Sequence, residues 1–181
     1  MNPLGALNLY QEGLNVNSVI FYRYGLATTI LALIMLAQKK SFAITRREFA
    51  VLSVLGVLMV VSSLTLFGSF NFMDAGIAST LLFVYPVMVA VMMAIFFKEK
   101  VTSITVISIA LALGGISLLY KGGDGATLST VGVLLVMASS LTYAVYIIVV
   151  NKSALIMSSV KLTFYVLLIG TVLLLAYSFM G

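Results

Sequence analysis

The chain is 181 residues long, 62% apolar and only 8% charged, with a net charge of +5 and a mean hydropathy of +1.22. A water-soluble domain carries roughly a quarter charged residues, so a soluble core is excluded. There is no cysteine and no histidine. Disulfides, thiolate chemistry and the commonest transition-metal ligand are therefore unavailable, and neither a metal nor a cofactor is expected.

The start, Met1-Asn2-Pro3-Leu4-Gly5, lacks the basic region and small-residue cleavage site of a signal peptide. A helix needs about 20 mostly apolar residues to cross a bilayer. Six stretches meet that length: Ser18–Gln38, Phe49–Phe72, Ala75–Phe97, Val101–Tyr120, Thr130–Val150 and Val160–Met180. Continuous apolar runs point to helices; a β-barrel would show short alternating strands. The expected class is an all-α, polytopic membrane bundle, with lipid as its solvent.

The loops carry the orientation. Lys39, Lys40, Arg46 and Arg47 follow the first span, Lys98 and Lys100 the third, and Lys152 with Lys161 the fifth. All three loops fall on one side if every span crosses. The other side receives Met73-Asp74 and Lys121-Gly122-Gly123-Asp124, with almost no net charge. Cytoplasmic loops hold the excess of basic residues, so the first complete span runs from outside to inside. The same bias accounts for the positive net charge without any nucleic-acid partner. Thr45-Arg46-Arg47-Glu48 is a capping-box pattern, and Ser158 and Ser159 are candidate caps for the last span. Gly122, Gly123 and Gly125 mark a flexible connection. Asp74, in a very short hairpin, suits the positive end of the helix that follows.

A shift of 141 positions superposes Ser18-Val19 on Ser159-Val160, Tyr24 on Tyr165, Leu26 on Leu167 and Leu33 on Leu174. The two segments enter the membrane from opposite sides, as inverted-topology transporter repeats do. Residues 1–121 then form a first repeat whose first helix is incomplete, and 130–181 the first two helices of a second. On this reading the chain is a piece of a longer protein, with six complete transmembrane helices and a partial N-terminal one.

Several segments together resemble the EamA type of the drug/metabolite transporter superfamily. They are Val19-Ile20-Phe21-Tyr22-Arg23-Tyr24, Ala75-Gly76-Ile77-Ala78 through Tyr85-Pro86, Phe97-Lys98-Glu99-Lys100 and Gly114-Gly115-Ile116-Ser117-Leu118-Leu119. Gly132-Val133-Leu134 and Ser140-Leu141-Thr142-Tyr143-Ala144 complete the set. The resemblance covers nearly the whole chain, and its specificity lies in the order and spacing of the pieces. It implies a ten-helix fold of two inverted five-helix repeats with a central cavity between them. It also implies export, less often uptake, of small solutes such as amino acids, other metabolites or drugs. The expected location is the bacterial cytoplasmic membrane.

Candidate cavity residues are Arg23, Asn71, Tyr85, Pro86, Ser139, Tyr143 and Tyr146. Arg23 is the one charge inside a span, roughly 7 Å below the outer surface. It either snorkels or pairs with Glu12, or else binds an anion at the outer mouth; the resemblance favours an arginine here. In the second case Arg23→Ala lowers transport of a carboxylate solute. Pro86 removes the amide that would bond the Leu82 carbonyl, and so bends its helix at membrane depth. The kink is either inert or a cavity-lining hinge. Ser139, Tyr143 and Tyr146 share a helix face, as do Ser62, Thr65 and Ser69; such hydroxyls bond neighbouring helices or line a solute path. Asn71 has the same two readings. Gly114-Gly115, with Ala110 a turn earlier, permits close helix approach.

No acidic residue lies deep in any span, so a proton relay would draw on Glu12, Asp74 or residues elsewhere. No nucleotide-binding G-x-x-x-x-G-K pattern occurs. No nucleophile–base pair stands within a span, which argues against an enzyme. The expected function is alternating-access transport of small organic solutes, with the lipid bilayer and the solute as partners. The alternative is a non-transporting scaffold, assembly subunit or inactive fragment, completed by a second copy or another chain.

Overall fold

The computed structural model describes residues 16–98, 129–153, 155 and 157–180, together with 103, 105–107, 109–111, 114 and 115. Six helices have both ends among the described residues: α1 (Val16–Ala37), α2 (Arg46–Ser69), α3 (Ala75–Leu82), α4 (Tyr85–Phe97), α5 (Thr130–Lys152) and α6 (Ser159–Met180). No strand occurs among the described residues. Among the described residues five stretches are long and apolar enough to cross a membrane, α3 and α4 together making one of them. The protein is an all-α, multi-pass membrane protein. The expected span at Val101–Tyr120 lies largely outside the described residues, and its described positions are all helical. Glu12 and the Gly122-Gly123-Gly125 connection lie outside them altogether.

Local chemistry sets the helix ends. The Thr45 hydroxyl accepts from the Glu48 amide at 3.3 Å, and the Glu48 carboxylate accepts from the Thr45 amide at 2.6 Å. This reciprocal box starts α2 three residues earlier than the hydropathy pattern suggests, at Arg46. At α3, Asp74 Oδ1 accepts from the amides of Gly76 and Ile77 at 2.7 and 3.3 Å. Asp74 is thus a capping residue. Ser158 Oγ accepts weakly from Lys161 N, at 3.4 Å. The helices α1 and α4 both run out into a lysine of positive φ, Lys39 (49°) and Lys98 (54°), the left-handed stop usually given to glycine.

The span Ala75–Phe97 is not one continuous helix. The amides of Phe83 and Val84 donate three residues back, to Thr80 and Leu81, at 3.0 and 3.1 Å. The chain tightens there into a short 3₁₀-like turn. The next helix restarts at Tyr85, with Pro86 in its first turn, where a missing amide costs nothing within the helix. The kink expected at proline is therefore a break, with Phe83 and Val84 standing between the two helices.

The central helix is α2, packed against α5, α6, α1 and α3. Between α1, α2 and α6 lies an apolar cluster that includes Val19, Ile20, Val60, Phe67, Leu167 and Leu174. A second joins Leu66, Met73, Ala78 and Val136. A third, centred on Leu52, Leu55 and Val166, closes the opposite end. That end also gathers the basic residues. Lys161 Nζ donates to the Ala43 carbonyl, Tyr165 Oη to the Phe42 carbonyl, and Lys152 lies 4.5 Å over the Phe97 ring.

In lipid, helices associate through close packing more than through apolar burial. Small residues accordingly mark the seams. A Cβ on Gly170 of α6 would stand 2.8 Å from the Tyr24 ring, and one on Gly56 of α2 2.7 Å from Ile169. Gly114 and Gly115, expected to permit close approach, meet nothing within 4 Å among the described residues.

Candidate functional site

A cavity of about 280 Å³ opens where α2, the α3–α4 break and α5 converge. From α2 come Ser62 and Ser63, with Met59 and Leu66 a turn to either side. The broken span supplies Ser79, Leu82, Phe83 and Tyr85, and α5 supplies Tyr143. Tyr143 sits within a turn of the middle of α5, and Ser62 and Ser63 roughly 7 Å from the middle of α2 by rise per residue. The cavity thus lies at mid-depth in the bundle.

Its polar groups fall into two sets. The first is committed to holding helices. Ser62 Oγ donates to the Ser139 carbonyl at 3.1 Å, and Ser139 Oγ donates to the Ser62 carbonyl at 2.7 Å. This buried reciprocal pair joins α2 to α5. Ser63 Oγ is 2.6 Å from Tyr24 Oη, which also reaches the Met59 carbonyl at 3.2 Å, tying α1 to α2. The second set is uncommitted. The hydroxyls of Ser79, Tyr85 and Tyr143 have no hydrogen-bond partner among the described residues. None of them is sealed away from open space.

The aromatic rings form a corner. Tyr85 and Tyr143 meet edge to face, with centroids 4.8 Å apart and planes at 86°. Behind Tyr143, Tyr146 stacks at 5.6 Å and 11°. Such contacts are worth about 0.5–1.5 kcal/mol beyond burial and hold the rings in place.

The break in the third span explains why a cavity forms here. Proline leaves the Leu82 carbonyl without its helical donor. Ser140 Oγ of α5 donates to it at 3.3 Å. The carbonyl is thus satisfied across the helix interface, beside the space that the tight turn opens.

The residues singled out from sequence are distributed as follows. Tyr85 and Tyr143 line the cavity. Tyr146 backs it, and Ser139 lies behind Ser62, sealed from the space. Pro86 shapes the break, but its exposed ring is not in the lining. Arg23 is half-buried at 5.2 Å from the Phe67 ring centroid and is not in the lining either. Asn71 is exposed in the turn after α2, remote from the cavity lining. Thr65 and Ser69 turn back onto carbonyls of their own helix, at 2.8 and 2.6 Å. Ser63 and Ser79 were not singled out. Both are small hydroxyls inside apolar windows, a signal that becomes specific only once neighbouring helices are known.

Comparison with known proteins agrees with the architecture. The EamA-like transporter family matches residues 6–121. A Bacillus subtilis (strain 168) protein named as the uncharacterized transporter YvbV is 28% identical over 109 residues, covering 60% of this chain and 36% of that protein. The chain thus spans well under half the length of this curated relative. No solved structure matches. The family match extends over more than half of the chain and lies among transporters rather than enzymes, and the chain belongs to the EamA-like transporter family.

Proposed function

We propose that this chain forms part of a secondary transporter that exports small organic solutes, such as amino acids, other metabolites or drugs, across a bacterial cytoplasmic membrane. The observation that carries this reading is the mid-depth cavity with its three uncommitted hydroxyls, at a break in a spanning helix. Residues 1–121 and 130–181 act as parts of two inverted repeats, with the basic end in the cytoplasm. In support, α1 and α6, the segments superposed by the 141-residue shift, pack against each other in opposite directions. Rocking of the repeats about the cavity would alternate its access. The break between α3 and α4 concentrates bending in one span.

The test is efflux from proteoliposomes containing the full chain, loaded with radiolabelled amino acids, nucleobases or a cationic dye. At least one solute should leave faster than from protein-free vesicles, and Tyr85→Ala should slow it about tenfold. No accelerated efflux of any solute, from a chain that is folded and forms stable oligomers, would instead favour the scaffold reading.

A further inference from the structure

Every polar side chain among the described lining residues carries a neutral hydroxyl. Among the described lining residues there is no aspartate, glutamate, lysine or arginine. An ion entering such a space would lose its hydration and gain no counter-charge. Arg23 does not offset it, because its guanidinium stands over the Phe67 ring and is not part of the lining.

The hydroxyls have a definite capacity. Ser62 and Ser63 are engaged with Ser139 and Tyr24. Ser79, Tyr85 and Tyr143 remain, and each can donate one hydrogen bond and accept others. Such groups match a neutral N–H, amide or phenol. The walls complement them. Tyr85 and Tyr143, with planes at 86° to each other, put aromatic surface in the lining against which a flat solute can pack. A volume of about 280 Å³ is roughly that of nine liquid waters. That lies at the small end of ligand pockets and suits a small solute.

From these features we infer that the cavity selects small, uncharged, planar solutes bearing a hydrogen-bonding group. The inference rests on the transport reading and narrows its substrate class to neutral metabolites or drugs, setting aside amino acids, which carry two charges at neutral pH. Tyrosine faces also attract cations, so a cationic isostere is the critical competitor.

The chain contains no tryptophan, so the fluorescence of an indole probe can be read on the red edge of its absorption without protein background. Titrations in nanodiscs bounded by an aliphatic polymer, which adds no indole of its own, would compare indole, tryptamine and indole-3-acetate: neutral, cationic and anionic versions of one ring. Protein-free discs of the same lipid subtract partitioning into the bilayer. Indole should bind at least about tenfold more tightly than either ion, and Tyr143→Ala should weaken it about tenfold. Tyr143→Phe, which keeps the ring and the fold, should retain stacking and lose only a few-fold.

Tighter binding of tryptamine or indole-3-acetate that disappears in Tyr143→Ala would overturn the neutral-solute inference and leave the site reading intact. Binding of all three probes that is indifferent to Tyr143→Ala and Tyr85→Ala would overturn both. Absence of saturable binding by any probe would overturn the inference, while the efflux assay judges transport separately.

Discussion

Two seams of the bundle are built from different materials. The α1–α6 seam is filled by aliphatic side chains, with Gly170 letting the Tyr24 ring approach closely. The seam joining α2, α5 and the broken span is lined by serines and tyrosines and encloses open space. Both are helix–helix contacts in lipid, yet one is closed by shape and the other by hydrogen bonds. Tight packing resists sliding. Hydroxyl pairs, each worth about 0.6 kcal/mol on average in membrane proteins, are readily exchanged. The first seam is suited to act as a scaffold, and the second to rearrange around a guest.

Substitutions can break this contrast. The largest effect is expected on the packed seam. Gly170→Leu drives a side chain into the Tyr24 ring and should destabilise the chain by about 1–3 kcal/mol, or more if α6 is displaced. Unfolding by denaturant in mixed micelles would measure it; a neutral result would show that the seam is loose. Next comes the break. Ser140→Ala removes the donor to the Leu82 carbonyl. The bond is long at 3.3 Å, so a loss of about 1 kcal/mol is expected. Pro86→Ala restores a backbone amide at the same place. The double variant should therefore lose less than Ser140→Ala alone, and a double-mutant cycle with coupling of about 0.5 kcal/mol or more would detect it. Strict additivity would mean that Ser140 does not serve that carbonyl.

Smaller still is the paired-serine contact. Ser62→Ala or Ser139→Ala should cost about 0.6 kcal/mol and no more than about 1.7, read by the same denaturation. A change of comparable size is expected at Arg23. Replacing it with methionine removes a cation–π contact worth about 0.5–1 kcal/mol at an accessible position, and indole binding should be unchanged. A clear loss of indole binding would put Arg23 back at the solute path.

What the sequence discloses is local or compositional. Span positions follow from length and apolarity, and the Thr45–Glu48 box and the Asp74 cap from residue types a few positions apart. Tyr143 is legible as a candidate because polar groups inside apolar helices demand partners, and Tyr85 because it adjoins the kink expected at Pro86. Which partner each finds depends on which helices are neighbours, and no local pattern encodes that. Ser139 therefore looked equivalent to Tyr143, although one is sealed against Ser62 and the other faces the cavity. Pro86 announced an orphaned carbonyl at Leu82. Its donor, Ser140, lies 58 residues away and becomes identifiable only when α3 and α5 are known to touch. Arg23 drew attention as a lone charge, and the Phe67 ring that engages it is likewise distant in sequence.

The loop between α1 and α2 is held by residues made much later. Lys161 and Tyr165 of α6 grip the carbonyls of Ala43 and Phe42, across 118 and 123 residues of chain. At ribosomal rates of about 5–20 residues per second, that partner arrives roughly 6–24 s after the loop itself. During biosynthesis the first hairpin must wait in the bilayer with its polar loop carbonyls facing water. Docking of the last helix would then protect this loop, so protease sensitivity at Lys39–Lys40 in stalled nascent chains should fall abruptly once α6 has emerged.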